Sequence, residues 1–470
     1  MPLDCAAMRM IGRFRASGAG VPTRSLVEIV TVTIAATVSR VPLLGTGWGS
    51  DMDAWRYAGA ALHMHESGRY EPSRIPAFPG YELLLALIAP GGPLAAVLWS
   101  LLCAVIASVL FLKVAERLHL PHPLLLALTL ALTPGAVVTA TQSMDYAQAM
   151  ALLIAAWLSL LHGRAWLAGA LLGAAAATRP TLALVLPAAI VLLALAGRGR
   201  KSLVRVVAGF GATWLALHFP TFGHPALVAE ANPLAFHVAR HHVDAATFLP
   251  VTRGALVAVL GRLPLLVLVF ALASRLLPKR RVPLSFEPRG AHWSPSLEGP
   301  VFELLALLPL LAIYLLVPLD PGYLVVAVPL ALAIVARVIR PSAIGWVTLA
   351  CVAELLVQPL PSERRLAPGR IASERADRVR LMHEAEQARA DLPESTIVLA
   401  DRSLLLRLLV HERGLERTEL AYAPFHAAGV ALWAPERRGG WANDLTAAQR
   451  DSLSAQGYRI LEQRTVKAGH

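Results

Sequence analysis

Asp51 and Asp53 stand two residues apart near the start of Trp48–Ile88, a polar stretch in an otherwise apolar first half of the chain. Carboxylates gathered with aromatics and histidines in one early polar loop of an apolar chain mark it as a place of chemistry or recognition, the plainer alternative being that Asp53 caps a helix and Asp51 is a solvated loop acid. The same stretch carries His63, His65 and Glu66. His63 and Glu66 are three apart, on one face of any helix, and such spacing can hold a divalent ion when a further ligand is near. No further ligand is close in sequence, so these residues are read as contacts to headgroups or to an acceptor. Later polar residues extend the candidate set: Asp145, Arg179, the run Arg240-His241-His242, and Tyr323.

The elements that position these groups follow from periodicity. In Asp53–Glu66 the apolar residues Trp55, Ala58, Ala61 and Leu62 recur with helical spacing, and Tyr57 lies one turn after Asp53. An acid at the N-terminal edge of such a helix is favoured by the dipole, whether it caps the helix or performs chemistry. Asp145 has the same two readings, as a cap for Tyr146–Leu161 or as a group aimed into the same cavity. Arg179 precedes Pro180 in a tight hairpin between apolar runs. There it is either a phosphate ligand or an arginine snorkelling to headgroups. Arg240, His241 and His242 either assist phosphate or acceptor binding or form a solvated loop, and Tyr323 is placed as an interfacial aromatic.

The chain has 470 residues, 56% of them hydrophobic and 16% charged. Soluble domains carry roughly 25% charged residues, so the balance is that of a polytopic membrane protein. The net charge of +12 reflects arginines between apolar runs, a topology signal. No basic stripe interleaved with aromatics is present in the sequence, which argues against nucleic acid as a partner. The cysteines Cys5, Cys103 and Cys351 are too far apart to suggest a disulfide framework or a zinc site.

Apolar runs at 26–44, 93–112, 124–141, 146–161, 165–178, 181–196, 203–219, 254–277, 302–319, 322–338 and 343–360 predict about eleven transmembrane helices. Alternating the loops collects the basic clusters, among them Lys113/Arg117, Arg198–Arg205 and Lys279–Arg289, on one side. By the positive-inside rule that side is cytoplasmic, together with the basic tail 1–25. The first outer loop 45–92, the outer loop 220–252 and the C-terminal segment 361–470 then face outward. In that last segment, Ser395–Ala400 and Tyr458–Glu462 read as strands, with Arg402–Arg413 and Asp444–Gln456 as helices, a small extracytoplasmic α/β domain. The expected fold is thus an all-α polytopic membrane domain over 26–360 followed by this domain, in a cytoplasmic membrane.

Three stretches carry a resemblance: Asp53 with Tyr57 and the Pro-rich re-entry Ile75-Pro-Ala-Phe-Pro-Gly-Tyr-Glu-Leu; GAAAATRPTLALVL at Gly173–Leu186; and Gly322-Tyr-Leu-Val-Val-Ala-Val-Pro329. Together with the topology they resemble the C-type (GT-C) glycosyltransferase superfamily, in particular its polyprenyl-phosphate-sugar-dependent branch of protein mannosyltransferases and aminoarabinose transferases. That family often has an adjacent Asp-Glu in the first loop. Here Ala54 follows Asp53, which leaves open whether Asp51 takes the second role. The resemblance implies an inverting transfer of a sugar from a polyprenyl-phosphate donor to a glycan, lipid or protein acceptor among membrane lipids. Asp53 would be the base, Asp51 its support or a ligand to Mg or Mn, and Arg179 the cation for the donor phosphate.

Two rival readings share the membrane setting. A secondary transporter would be expected to show repeated halves with broken helices in matching places, and no repeat is visible. A lipid-linked glycan ligase or polymerase would be expected to carry its chemistry in a long late loop, whereas the acids here come early.

Overall fold

In a computed structural model, the described residues are 23–44, 47–49, 52–74, 76–224, 245–276, 300–316, 321–357 and the strand residues 396–399, 432–433 and 459–461. Asp51, Arg240, His241, His242 and the two helices expected after residue 400 lie outside them. Over its described residues, each of the eleven apolar runs forms helix. The first three are α1 (Thr23–Val38), α4 (Gly92–Arg117) and the pair α5 (Pro123–Leu132) and α6 (Pro134–Thr139). Next come α7 (Tyr146–Leu161), α8 (Ala165–Thr178), α9 (Leu186–Leu195) and α10 (Arg200–His218). The last are α11 (Ala245–Leu260), α12 (Arg262–Leu276), α13 (Val301–Leu316), α14 (Gly322–Val338) and α15 (Pro341–Val357). Two further helices, α2 (Met52–Ser67) and α3 (Pro79–Ile88), build the early polar stretch.

Among the described residues, three helical segments are long and apolar enough to cross a membrane: Ser25–Leu43, Pro79–Arg117 and Arg200–Thr221. The second joins α3 to α4 through a 3₁₀ turn and runs for 39 residues. Seven further apolar helices are shorter, at 10–17 residues, less than the roughly 20 residues that span a hydrocarbon core about 30 Å thick, a mismatch met by local thinning of the bilayer and by packing against neighbours. Leu26, Val27, Ile34 and Val38 project from α1 away from the bundle, the apolar exposure expected of a lipid-facing helix.

The core forms where α4, α7 and α13 meet. The Trp157 ring lies 6.4 Å from Phe111 and 5.5 Å from Phe302. Close helix contact depends on small residues, as between α8 and α10. A Cβ on Gly169 would stand 2.0 Å from the Val206 carbonyl oxygen, and one on Gly209 2.5 Å from that of Trp166. Without a hydrophobic force between helices in lipid, such backbone contact is the main source of their association.

Two breaks shape the frame. The run 254–277, read as one continuous span, is broken at Gly261, where the axis turns by 103°. Gly261 takes φ +88, a left-handed conformation that a Cβ disfavours, and Pro264 lies in the first turn of α12. The freed Leu263 N–H donates to Glu354 Oε2 at 3.0 Å, so α15 caps the new helix start.

The other break, at Thr133-Pro134, separates α5 from α6 and is bridged by the fully buried Arg40. Its Nη1 donates to the Ala36 and Ala131 carbonyls at 2.8 and 2.9 Å, and Nη2 to that of Ala136 at 3.1 Å. Arg40→Leu removes a donor from carbonyls on both sides of the break; Ala36 and Ala136 keep bonds from Ser39 Oγ and the Ala140 N–H, and the loss at the Ala131 oxygen costs about 1–3 kcal/mol. The expected result is a clear fall in the midpoint of thermal unfolding in detergent, with Arg40→Lys falling less. An unchanged midpoint for Arg40→Leu would contradict this role.

The C-terminal strands β1 (Thr396–Leu399), β2 (Leu432–Trp433) and β3 (Arg459–Leu461) form a parallel sheet in the order β2-β1-β3. β1 and β3 fall on the two segments read as strands from the sequence.

Candidate active site

Asp53 lies in the first turn of α2, one residue inside the helix start rather than at its cap. Its side chain is 29% exposed and meets two guanidinium groups. Arg56, one turn on, donates to Oδ1 at 3.1 Å, and Arg74, from the loop between α2 and α3, pairs with Oδ2. Helical spacing places Tyr57 on the same face, and Arg74 Nη2 donates to its phenolic oxygen at 3.0 Å. The Arg74 guanidinium also covers the Phe78 ring at 4.4 Å. Burial pushes the Tyr57 phenol well above its ordinary range, and the nearby Asp145 and Glu82 carboxyl groups push the same way. Tyr57 is therefore a neutral hydroxyl throughout the working pH range.

Below this cluster lies a second, fully enclosed one. Arg179 Nη1 donates to Asp145 Oδ2 at 2.9 Å, with both side chains under 5% exposed. The guanidinium lies between two aromatic faces, Tyr146 at 4.3 Å and Tyr323 at 4.6 Å. Asp145 occupies the cap position of α7 but makes no side-chain cap hydrogen bond, because its carboxylate is directed to Arg179 instead. Its other oxygen, Oδ1, is buried with no hydrogen-bond partner among the described residues. A buried arginine of this kind needs a counter-charge, and two other chain segments, the start of α7 with Asp145 and Tyr146 and the start of α14 with Tyr323, supply the charge and the π faces. Tyr323, a binding candidate from the sequence with an interfacial aromatic as the plainer alternative, forms a wall of the Arg179 site.

The two clusters are linked. Tyr57 packs edge-on against Tyr81, centroids 4.9 Å apart, and the Tyr81 hydroxyl lies 3.2 Å from Ser143 Oγ. The Ser143 N–H donates to the Trp48 carbonyl at 2.8 Å, which ties the start of the early polar stretch to the turn carrying Asp145. One turn into α7, Gln148 donates to the Gly80 carbonyl at 2.9 Å and to Thr178 Oγ1 at 3.0 Å, and accepts from Trp99 Nε1 at 3.0 Å. This amide fixes α3, α4, α7 and α8 relative to one another just beneath the ion pair.

The structure thus brings Asp53, Tyr57, Asp145, Arg179 and Tyr323 into one region. His63, His65 and Glu66 stand apart from it. His63 Nε2 lies 3.1 Å from Glu71 Oε2, and His65 and Glu66 are exposed on α2. Among the described residues, no group of three or more His, Cys, Asp or Glu side chains could hold a metal ion. At Asp53 itself the donor set does not fit a divalent cation, since two guanidinium groups already neutralise the carboxylate.

Arg56, Arg74 and Glu82 were not identified from the sequence. Glu82 opens the run Glu-Leu-Leu-Leu-Ala-Leu-Ile, and an acid beginning an apolar helix signals a partner elsewhere.

Gly322, at the start of α14, has the Tyr146 ring directly upon it: a Cβ there would lie 2.1 Å from Cζ. Gly322→Ala is expected to displace that ring from the guanidinium, with overpacking of about 1–3 kcal/mol. The unfolding midpoint should fall, and Tyr146→Ala in the Gly322→Ala background should recover part of the loss. No recovery would place the strain elsewhere.

No protein-family model and no curated protein matches the chain. Among solved structures, it is similar to the crystal structure of ArnT from Cupriavidus metallidurans bound to undecaprenyl phosphate. The identity is 18%, the TM-score 0.48, and the match covers 83% of this chain and 74% of that one.

Proposed function

We propose that this chain is a membrane glycosyltransferase that moves a sugar from a polyprenyl-phosphate donor to an acceptor hydroxyl, with inversion, at the outer face of a cytoplasmic membrane. The observation that carries the reading is the partly exposed Asp53 carboxylate, fixed by two guanidinium groups and joined through Tyr57, Tyr81 and Ser143 to the turn that carries the buried Asp145–Arg179 pair, in a bundle of apolar helices. The motifs Asp53…Tyr57, Thr178-Arg179-Pro180 and Gly322…Pro329, which prompted the resemblance, contribute residues to this one region.

In this mechanism the acceptor oxygen attacks the anomeric carbon while its proton passes to Asp53. The bond from that carbon to the phosphate oxygen breaks, and the electron pair leaves on the polyprenyl phosphate. Arg56 and Arg74 hold the Asp53 carboxylate in place, and the proton passes to it as the glycosyl bond opens. Positive charge must stabilise the departing phosphate. The Asp145–Arg179 pair is nearly neutral as a unit, so Arg74 and Arg56 contact the phosphate first. Arg179 joins only to the extent that Asp145 releases it. The early histidines and residues 240–242 are left for acceptor and headgroup contacts.

The direct test is purified protein in liposomes with radiolabelled mannose, glucose, galactose or a pentose on polyprenyl phosphate. Transfer to acceptor with release of free polyprenyl phosphate, and an inverted anomer by NMR, is the expected result. Retention of the anomeric configuration would refute the single displacement at Asp53. Movement of intact donor across the bilayer without cleavage would favour transport.

A further inference from the structure

The loop between α2 and α3 is organised around one side chain. Glu82 is fully buried and accepts four hydrogen bonds. The Ser73 N–H and Oγ–H reach Oε1 at 2.8 and 2.5 Å, the Phe78 N–H reaches Oε2 at 3.0 Å, and the Tyr70 hydroxyl also donates to Oε2. These donors lie on both sides of Arg74 in the chain. Between them, the Ala77 N–H closes a turn onto the Arg74 carbonyl at 2.7 Å, and Ala77 is held buried at φ +84. A non-glycine residue in that conformation persists only where its surroundings enforce it. Burial and the Glu82 contact push the Tyr70 phenol far above its ordinary range, so its proton remains available to that bond at any working pH.

We infer that Glu82 is a positioning residue for the reaction: it locks residues 70–78 so that Arg74 projects onto Asp53 and Tyr57. The inference rests on the reading of Asp53 as the reacting carboxylate. A simpler role, capping the start of α3, would need only the Phe78 N–H. The other three bonds go to residues 70 and 73, ahead of Arg74, where a cap has no use for them. Phe78 itself, gripped through its N–H, presents its ring under the Arg74 guanidinium and edge-on to Tyr57 at 5.8 Å.

The test uses the full-length protein in detergent, with Glu82→Gln as the main variant. Glutamine keeps the size but puts an amide donor where two donors already point. Hydrogen exchange is followed in two peptides, residues 68–82 and residues 53–60. The expected result is exchange about tenfold faster in both, because the lost bonds release Arg74 and with it the first turns of α2. Arg74→Met should speed exchange in 53–60 alone, and Glu82→Gln added to it should change 53–60 no further. Faster exchange confined to 68–82 would reduce Glu82 to a cap and overturn the inference. Should Glu82→Gln fail to fold, Ser73→Ala combined with Tyr70→Phe makes the same comparison.

Transfer assays separate this inference from the reading beneath it. Full activity in Asp53→Asn removes the base reading, while exchange still decides whether Glu82 positions Arg74. Activity lost in Asp53→Asn but unchanged in Glu82→Gln overturns the positioning role alone.

Discussion

Asp53→Asn is expected to lower sugar transfer by about 10²–10⁴-fold at matched protein, the range for removing a positioned general base. Asparagine keeps the shape and can still accept one hydrogen bond from Arg74 or Arg56, so the fold should survive and the unfolding midpoint should move little. In the proposed mechanism, what is lost is the group that takes the acceptor proton as the glycosyl bond opens. The measurement is the initial rate of label transfer from the donor that wild-type protein uses, with donor binding followed separately. A large fall in rate with donor binding retained would match the mechanism. Undiminished transfer would mean that the proton goes elsewhere, with Asp51 the first alternative to substitute.

The second large effect is on stability. Asp145→Leu leaves the Arg179 guanidinium buried between two tyrosine rings without its carboxylate, and breaking a buried pair from one side costs about 3–5 kcal/mol. Arg179→Met strands the carboxylate in the same way. Each single variant should unfold at markedly lower temperature in detergent, or fail to accumulate in membranes. The double variant Asp145→Leu/Arg179→Met removes both charges and leaves an apolar side chain against Tyr146 and Tyr323. It should recover most of the lost stability, since replacing an entire buried pair by apolar groups is often near neutral. A double variant no better than the worse single would show that Asp145 and Arg179 do not act mainly on each other.

The helices were legible because apolar runs of membrane length leave few other folds. Asp145 and Arg179 were both legible as polar residues at run ends on one side of the bundle. Their pairing was not, because the two come from different runs and no local pattern joins them. The same limit hid the partners of Asp53. Arg56 was read only as part of an amphipathic helix, and Arg74 stands in an irregular, Pro-rich stretch without periodicity. Its position depends on Glu82, Ser73 and Tyr70 meeting in space. The break at Gly261 was missed because hydropathy runs across it, although glycine followed closely by Pro264 was a signal of a turn.

Arg40 bears on how the chain is made. An arginine within a helix costs roughly 2.5–3.5 kcal/mol to insert at mid-bilayer, and less toward the helix end. Its carbonyl partners at Ala131 and Ala136 are 91 and 96 residues further along. At about 5–20 residues per second, the ribosome delivers them roughly 5–20 s after Arg40. During that interval the first helix carries a charge with no permanent partner beyond its own turn. Arg40 lies two residues beyond the end of α1, so through that interval its long side chain can reach the headgroups, and the α5–α6 break then offers it carbonyls inside the bundle.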